Sequence, residues 1–89
     1  MLSKVFKIKN KMGIHARPAS LLVKTASQFE SSVYISKDSQ EVNGKSIMGI
    51  LMLEAGFGSE ITVSVDGKDE ARALHALEKV IDKDQFNEE

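Results

Sequence analysis

The sequence predicts a two-layer α+β domain with an antiparallel sheet and the element order β-α-β-β-α-β-α. Three observations carry that expectation. The strand-like segments alternate apolar and polar residues, so each offers one face to a core and the other to water, as antiparallel sheets covered on one side do. The segments between them hold apolar residues three and four apart, the spacing of helices with a single buried face. Short turns rather than linkers join the elements, so the 89 residues read as one domain, 1–89, without repeats or low-complexity stretches.

The elements follow in order. "SKVFKIK" (3–9) opens as a strand with Phe6 and Ile8 on one face, Lys7 and Lys9 on the other, and Lys4 at its start. After a Met12-Gly13 turn, "ARPASLLVKTASQF" (16–29) aligns Ala19, Leu22, Val23, Ala26 and Phe29 along one side of a helix. Pro18 fits the first turn of that helix, where its missing N–H removes no hydrogen bond. "SVYISK" (32–37) is a strand with Val33 and Ile35 inward and Tyr34 outward, and "DSQ" (38–40) turns the chain into a short third strand at 41–43. Ser46 is a natural N-cap for the brief helix "IMGILML" (47–53). Gly56 and Gly58 bracket a loop before "EITVSVDG" (60–67), where Ile61, Val63 and Val65 alternate cleanly with polar residues. "DEARALHALEKVIDK" (69–83) starts with acids and ends with lysines, the sense the helix dipole favours, with Leu74, Leu77 and Ile81 as its buried stripe. The tail "QFNEE" (85–89) reads as a frayed end.

Composition excludes several functions. With a net charge of −1 and lysines scattered among acids, the chain lacks the field that holds nucleic acid. The exposed sheet face would carry Lys7, Tyr34, Thr62 and Ser64, a single aromatic where RNA-stacking surfaces use two or three. The absence of cysteine excludes disulfides and thiolate sites and suits a reducing compartment. Residues 1–15 carry lysines without an apolar block, so no secretory signal is expected, and the longest apolar run (47–53) is too short for a membrane span. A cytoplasmic monomer follows as the expectation. No paired carboxylates, nucleophile–base pair or glycine-rich nucleotide loop suggests a self-sufficient enzyme. His15 and His75 lack companions at metal-ligand spacing, so neither metal nor cofactor is expected; His75, beside Leu74, reads as a surface residue.

The stretch "NKMGIHARPAS" (10–20) concentrates the chemistry. Gly13 permits a sharp turn, Ile14 can anchor the loop in the core, and His15 falls at or just before the first helical turn. The N–H groups of that turn and the positive end of the dipole make a place for an anion. An imidazole there could carry a phosphoryl group, with backbone donors and the Arg17 guanidinium on its oxygens. A lone histidine or arginine at a helix start is also a common cap or surface residue, so the chemistry alone leaves both readings open.

Two long motifs shift that balance. "GIHARPAS" resembles the active-site signature of the histidine-containing phosphocarrier protein (HPr) family of the bacterial phosphoenolpyruvate-dependent phosphotransferase system, and "NGKSIMGIL" (43–51) resembles its second signature, around a regulatory serine. The resemblance continues through "ASQF", "GSEITVSVDG" and the last helix. It implies an open-faced β-sandwich, a four-stranded antiparallel sheet with three helices on one face. It implies that His15 accepts phosphate on Nδ1 from phospho-Enzyme I and passes it to a IIA-type domain, with Arg17 stabilising the phosphoryl group and then pairing with partner acids. Ser46 would be a regulatory phosphorylation site, with a serine kinase and phosphatase and regulatory proteins as further partners. The second helix is too apolar all round to face only water: Ile50 and Leu53 can point to the core, leaving Ile47, Met48 and Leu51 for a docking patch. Arg17 and Lys24 would form its basic rim, and the resemblance adds Ser20, Leu21 and Ser27 as partner contacts. Met12 stands where many sugar-system carriers have a small polar residue. In this it resembles the nitrogen-regulatory paralogues, so a regulatory binding module is the alternative.

Overall fold

The structure is a computed structural model and describes residues 1–87. Its four strands are β1 (Leu2–Lys7), β2 (Ser32–Lys37), β3 (Gln40–Asn43) and β4 (Glu60–Asp66), and its helices are α1 (Ala16–Ala26), α2 (Ile47–Met52) and α3 (Glu70–Glu78). The strands form one sheet in the order β1-β4-β2-β3, antiparallel at every pairing. The β-α-β-β-α-β-α order expected from the sequence is the observed one.

Alternation decides which face is covered. Phe6, Val33, Ile35, Ile61, Val63 and Val65 are buried beneath the helices, while their neighbours Val5, Lys7, Tyr34, Thr62 and Ser64 stay at least partly open to solvent. Ala19, Leu22 and Ala26 of α1, Ile50 of α2 and Ala73 and Leu77 of α3 close the core from the other side. Leu74 is only partly buried, because Ala73 takes the innermost position of α3. Lys4 departs from the simple pattern. It shares the covered face of β1 with Phe6, lies 5.5 Å from that ring's centroid and reaches Glu78 of α3. A charge pointing inward on an edge strand discourages pairing with other chains. Lys9, expected opposite Phe6, lies past the strand end and turns to the helical side, 2.8 Å from Asp82.

Where α3 would have continued, the backbone changes. Residues Lys79–Lys83 form a π-turn, and Gln85–Asn87 a short 3-10 turn whose Phe86 is buried. The expectation of a frayed tail is therefore wrong for residues 85–87, because the Phe86 ring finds a place in the core; Glu88 and Glu89 lie outside the described residues.

At the opposite end of the sheet, Asp69 ties the start of α3 to the 30–31 segment. Its carboxylate accepts hydrogen bonds from the Ser31 hydroxyl, from Glu30 N at 2.9 Å and from Ser31 N at 3.0 Å. The Ser31 hydroxyl first, and then the Glu30 N–H, hold its pKa down at about 2. Beside it Glu70 accepts from Gly67 N at 3.0 Å and lies 3.4 Å from the N-terminal ammonium. Among the described residues no helix is long and apolar enough to cross a membrane.

Candidate functional site

The site is built from one loop and one helix start. Asn10 is fully buried, and its amide donates to Gly13 O at 2.6 Å while Gly13 N donates to Asn10 O at 3.0 Å. Gly13 is in the left-handed region (φ 69°), and a Cβ there would stand 2.7 Å from Ala55 O and Gly56 Cα. Only glycine lets the loop lie this close to the 55–56 backbone. Ile14 N then donates to Ala55 O at 2.8 Å and its side chain enters the core, which fixes the residue that follows.

That residue is His15, the N-cap of α1, in extended conformation (φ −101°, ψ −165°). Its carbonyl accepts the first intrahelical bond, from Ala19 N at 3.0 Å, while its side chain makes no capping hydrogen bond and stays partly exposed. The N–H groups of Ala16 and Arg17 lie ahead of that first bond, and Pro18 has none. No acidic residue occupies the first turn, so nothing there repels a negative group. Arg17 is exposed and donates from Nη1 to the carbonyl oxygen of Phe86 at 2.8 Å.

Helix α2 packs beside α1. Ser46 is its N-cap, with Oγ accepting from Gly49 N at 3.0 Å. Ile50 and Leu53 are buried and Ile47 and Met48 exposed, as the pattern requires. Leu51 is not exposed as expected; it packs half-buried against the core, and Met52 takes the outer position, since the helix ends there. Ser20 and Lys24 are exposed on α1, Leu21 is half-buried, and Ser27 caps the helix by donating its N–H to Val23 O at 2.8 Å. His75 is exposed on α3.

Three apolar side chains missed by the sequence reading complete the surface: Met12 (76% exposed), Phe57 (68%) and Met52 (61%). Met12 and Phe57 flank the Gly13–Gly56 approach, so they emerge close to the His15 loop. Large apolar residues next to turn glycines were the signal available for both. The Phe86 carbonyl had none, because a backbone atom in a polar tail leaves no mark in composition.

A family model described as "PTS HPr component phosphorylation site" matches residues 2–83. The chain belongs to the HPr family. It is 44% identical over 89 residues, all of both chains, to the phosphocarrier protein HPr of Treponema pallidum (strain Nichols). It is 45% identical to the HPr-like protein Crh of Halalkalibacterium halodurans, over 94% of this chain and 100% of that one. Among solved structures, HPr-C-His from Thermoanaerobacter tengcongensis superposes with a TM-score of 0.94 at 46% identity, covering 100% of this chain and 99% of that one. An HPr dimer from the same organism gives a TM-score of 0.75 at 45% identity, covering 96% and 98%. HPr proteins are phosphocarriers of the phosphotransferase system and not enzymes, and the fold of this chain is the HPr fold.

Proposed function

We propose that this chain relays a phosphoryl group from phospho-Enzyme I to a IIA-type domain through His15. The observation that carries the proposal is the placement of His15: it stands partly exposed at the N-cap of α1, and the first turn holds no acid. In the transfer, the lone pair of His15 Nδ1 attacks phosphorus as the N–P bond to the donor's imidazole breaks. The electron pair of that bond leaves with the donor ring, and no oxidation state changes. Onward transfer repeats the exchange with His15 as the leaving group. Such a step depends on positioning and charge compensation, the role of the Arg17 guanidinium and the first-turn N–H groups.

Docking would use the apolar surface of Ile47, Met48 and Met52, rimmed by Arg17 and Lys24, with Ser20, Leu21 and Ser27 beside it. A basic rim suits acidic partners, and flexible methionines suit more than one of them. Phosphorylation of Ser46 by a serine kinase would add about −1.5 to −2 charges beside this patch and oppose the same acidic partners. We place the protein in the cytoplasm as a monomer, with sedimentation at working concentration as the check, since the relative from Thermoanaerobacter tengcongensis forms a dimer.

Incubation with Enzyme I and phosphoenolpyruvate should give acid-labile phosphate on the parent and none on His15→Ala. Equal labelling of both would overturn the proposal. A second reading, a nitrogen-regulatory paralogue acting by binding, is favoured by the apolar and exposed Met12 beside Gly13. Partner capture that depends on the phosphorylation state but leads to no onward transfer would support it.

A further inference from the structure

The sulfur of this chain lies wholly at the surface. The sequence holds four methionines, no cysteine and no tryptophan. Methionine ordinarily fills irregular gaps in a core, yet Met1, Met12, Met48 and Met52 are 70%, 76%, 69% and 61% exposed. The core is built from isoleucine, leucine, valine, alanine and phenylalanine instead. Met48 and Met52 stand four residues apart on α2, and hence on one face of it. Helix α2 packs beside α1, which His15 caps. Met12 precedes Gly13 in the loop that leads to His15. Met1 lies at the other end of the sheet, where its ammonium is 3.4 Å from Glu70.

We infer that Met12, Met48 and Met52 form an oxidation site through which peroxide switches off docking while the fold stays intact. The inference rests on the reading of His15 as a phosphoryl acceptor that partners must reach. In the modification, a lone pair of the thioether sulfur attacks one oxygen of hydrogen peroxide and the O–O bond breaks. The attacked oxygen stays on sulfur and gives its proton to the departing hydroxide, which leaves as water. Sulfur loses two electrons to become the sulfoxide, and the peroxide is reduced by the same two. The chain has no thiol to consume the oxidant first, and these thioethers meet it without any opening of the structure. The product is neutral but polar, and its oxygen accepts hydrogen bonds from water. Under a partner fitted to apolar methionine that water is lost and the oxygen is left without donors, which weakens association. No core residue carries sulfur, so the same treatment leaves the packing alone. Methionine sulfoxide reductases return the thioether, so the switch is reversible.

The test compares the parent with a Met12→Leu/Met48→Leu/Met52→Leu chain, which keeps Met1 as an internal record of the treatment. Each is held in hydrogen peroxide until peptide mass mapping shows one added oxygen on every methionine. The peroxide is removed, and untreated Enzyme I and phosphoenolpyruvate are added. The rate of phosphoryl uptake is read as treated over untreated protein, which cancels whatever the leucines themselves change. That ratio should fall about tenfold or more for the parent, the scale of a buried polar group without a partner. It should stay unchanged in the leucine chain although Met1 is oxidised there. The parent's melting temperature should not move, and sulfoxide reductase with a thiol reductant should restore its rate. An unaltered rate in the oxidised parent overturns the inference. So does an equal fall in both chains, a fall that comes with a lower melting temperature, or a rate the reductase does not restore. An untreated parent that takes up no phosphate overturns the phosphocarrier reading and the switch with it.

Discussion

The two ends of the molecule are held together in opposite ways. Around Asp69, side chains do the fastening: one carboxylate gathers the backbone of Glu30 and Ser31 and the Ser31 hydroxyl, and Glu70 holds Gly67 and the N-terminal ammonium. Around His15, most of the fastening is done by backbone, through Gly13, Ala55 and the His15 carbonyl, with the buried Asn10 amide as the one side chain that joins it, on Gly13 O. The other side chains there face outward: a partly exposed imidazole at the helix N-cap, an arginine on a backbone oxygen, and a border of exposed methionines and Phe57. A carrier must change its load and its partner without unfolding. Separating the groups that stabilise from the groups that exchange achieves that.

His15→Ala gives the largest effect and the sharpest break in the comparison. All phosphoryl uptake should vanish, yet stability should remain within about 0.5 kcal/mol of the parent, because the ring is partly exposed and lies outside the core. Urea unfolding read beside the labelling assay checks both halves. A large loss of stability would mean that the His15 end is fastened by side chains after all.

Next come Met48→Ala and Met52→Ala. Both side chains are mostly exposed, so the melting temperature should hold. Association with Enzyme I should weaken about tenfold for the more central of the two, the level at which truncating an interface anchor costs more than about 1 kcal/mol. Titration calorimetry on both variants separates docking from packing.

Ser46 lies on the boundary between the two kinds of residue. Its Oγ accepts from Gly49 N, so Ser46→Ala should cost about 1 kcal/mol of stability. Ser46→Asp keeps an acceptor at the cap and adds a negative charge, so it should be nearly as stable as the parent but dock more slowly, with the difference shrinking at high salt. If Ser46→Asp binds Enzyme I like the parent, the serine belongs wholly to the fold.

The same division explains which features the sequence makes legible. Strand β2 begins and ends where the alternation says, and β4 differs by one residue, because a sheet covered on one side enforces a period of two. The N-cap positions of His15 and Ser46 were legible because glycine, proline and serine mark helix starts by local chemistry. The π-turn was hidden, since Leu74, Leu77 and Ile81 keep a helical spacing through it. Phe86 was hidden too: one aromatic in a polar tail has no period, and only the tertiary pocket that receives it decides its place. The apolar border at Met12, Met52 and Phe57 fits neither scheme, because exposed apolar residues answer to partners and not to this chain's own core.

The smallest expected effect appears only in acid, at the fastened end. The folded chain holds the Asp69 carboxyl at about 2 against an ordinary 3.8, so the folded state binds that proton less readily than the unfolded state. Its contribution to stability is therefore complete above 3.8 and is lost as the pH falls through about 2. Glu70, Glu78 and Asp82 are shifted the same way, first by bonds from Gly67 N–H, Lys4 and Lys9 respectively, and they add to the same acid slope. Asp69→Asn should lower stability at neutral pH and flatten that slope in part, leaving the share of the other three. Urea midpoints at pH values above, between and below 3.8 and 2 measure it. An Asp69→Asn slope as steep as the parent's would show that this carboxylate fastens nothing. The contrast would then shift to the pairs that join β1 and the residues just after it to the C-terminal part of the chain, Lys4–Glu78 and Lys9–Asp82.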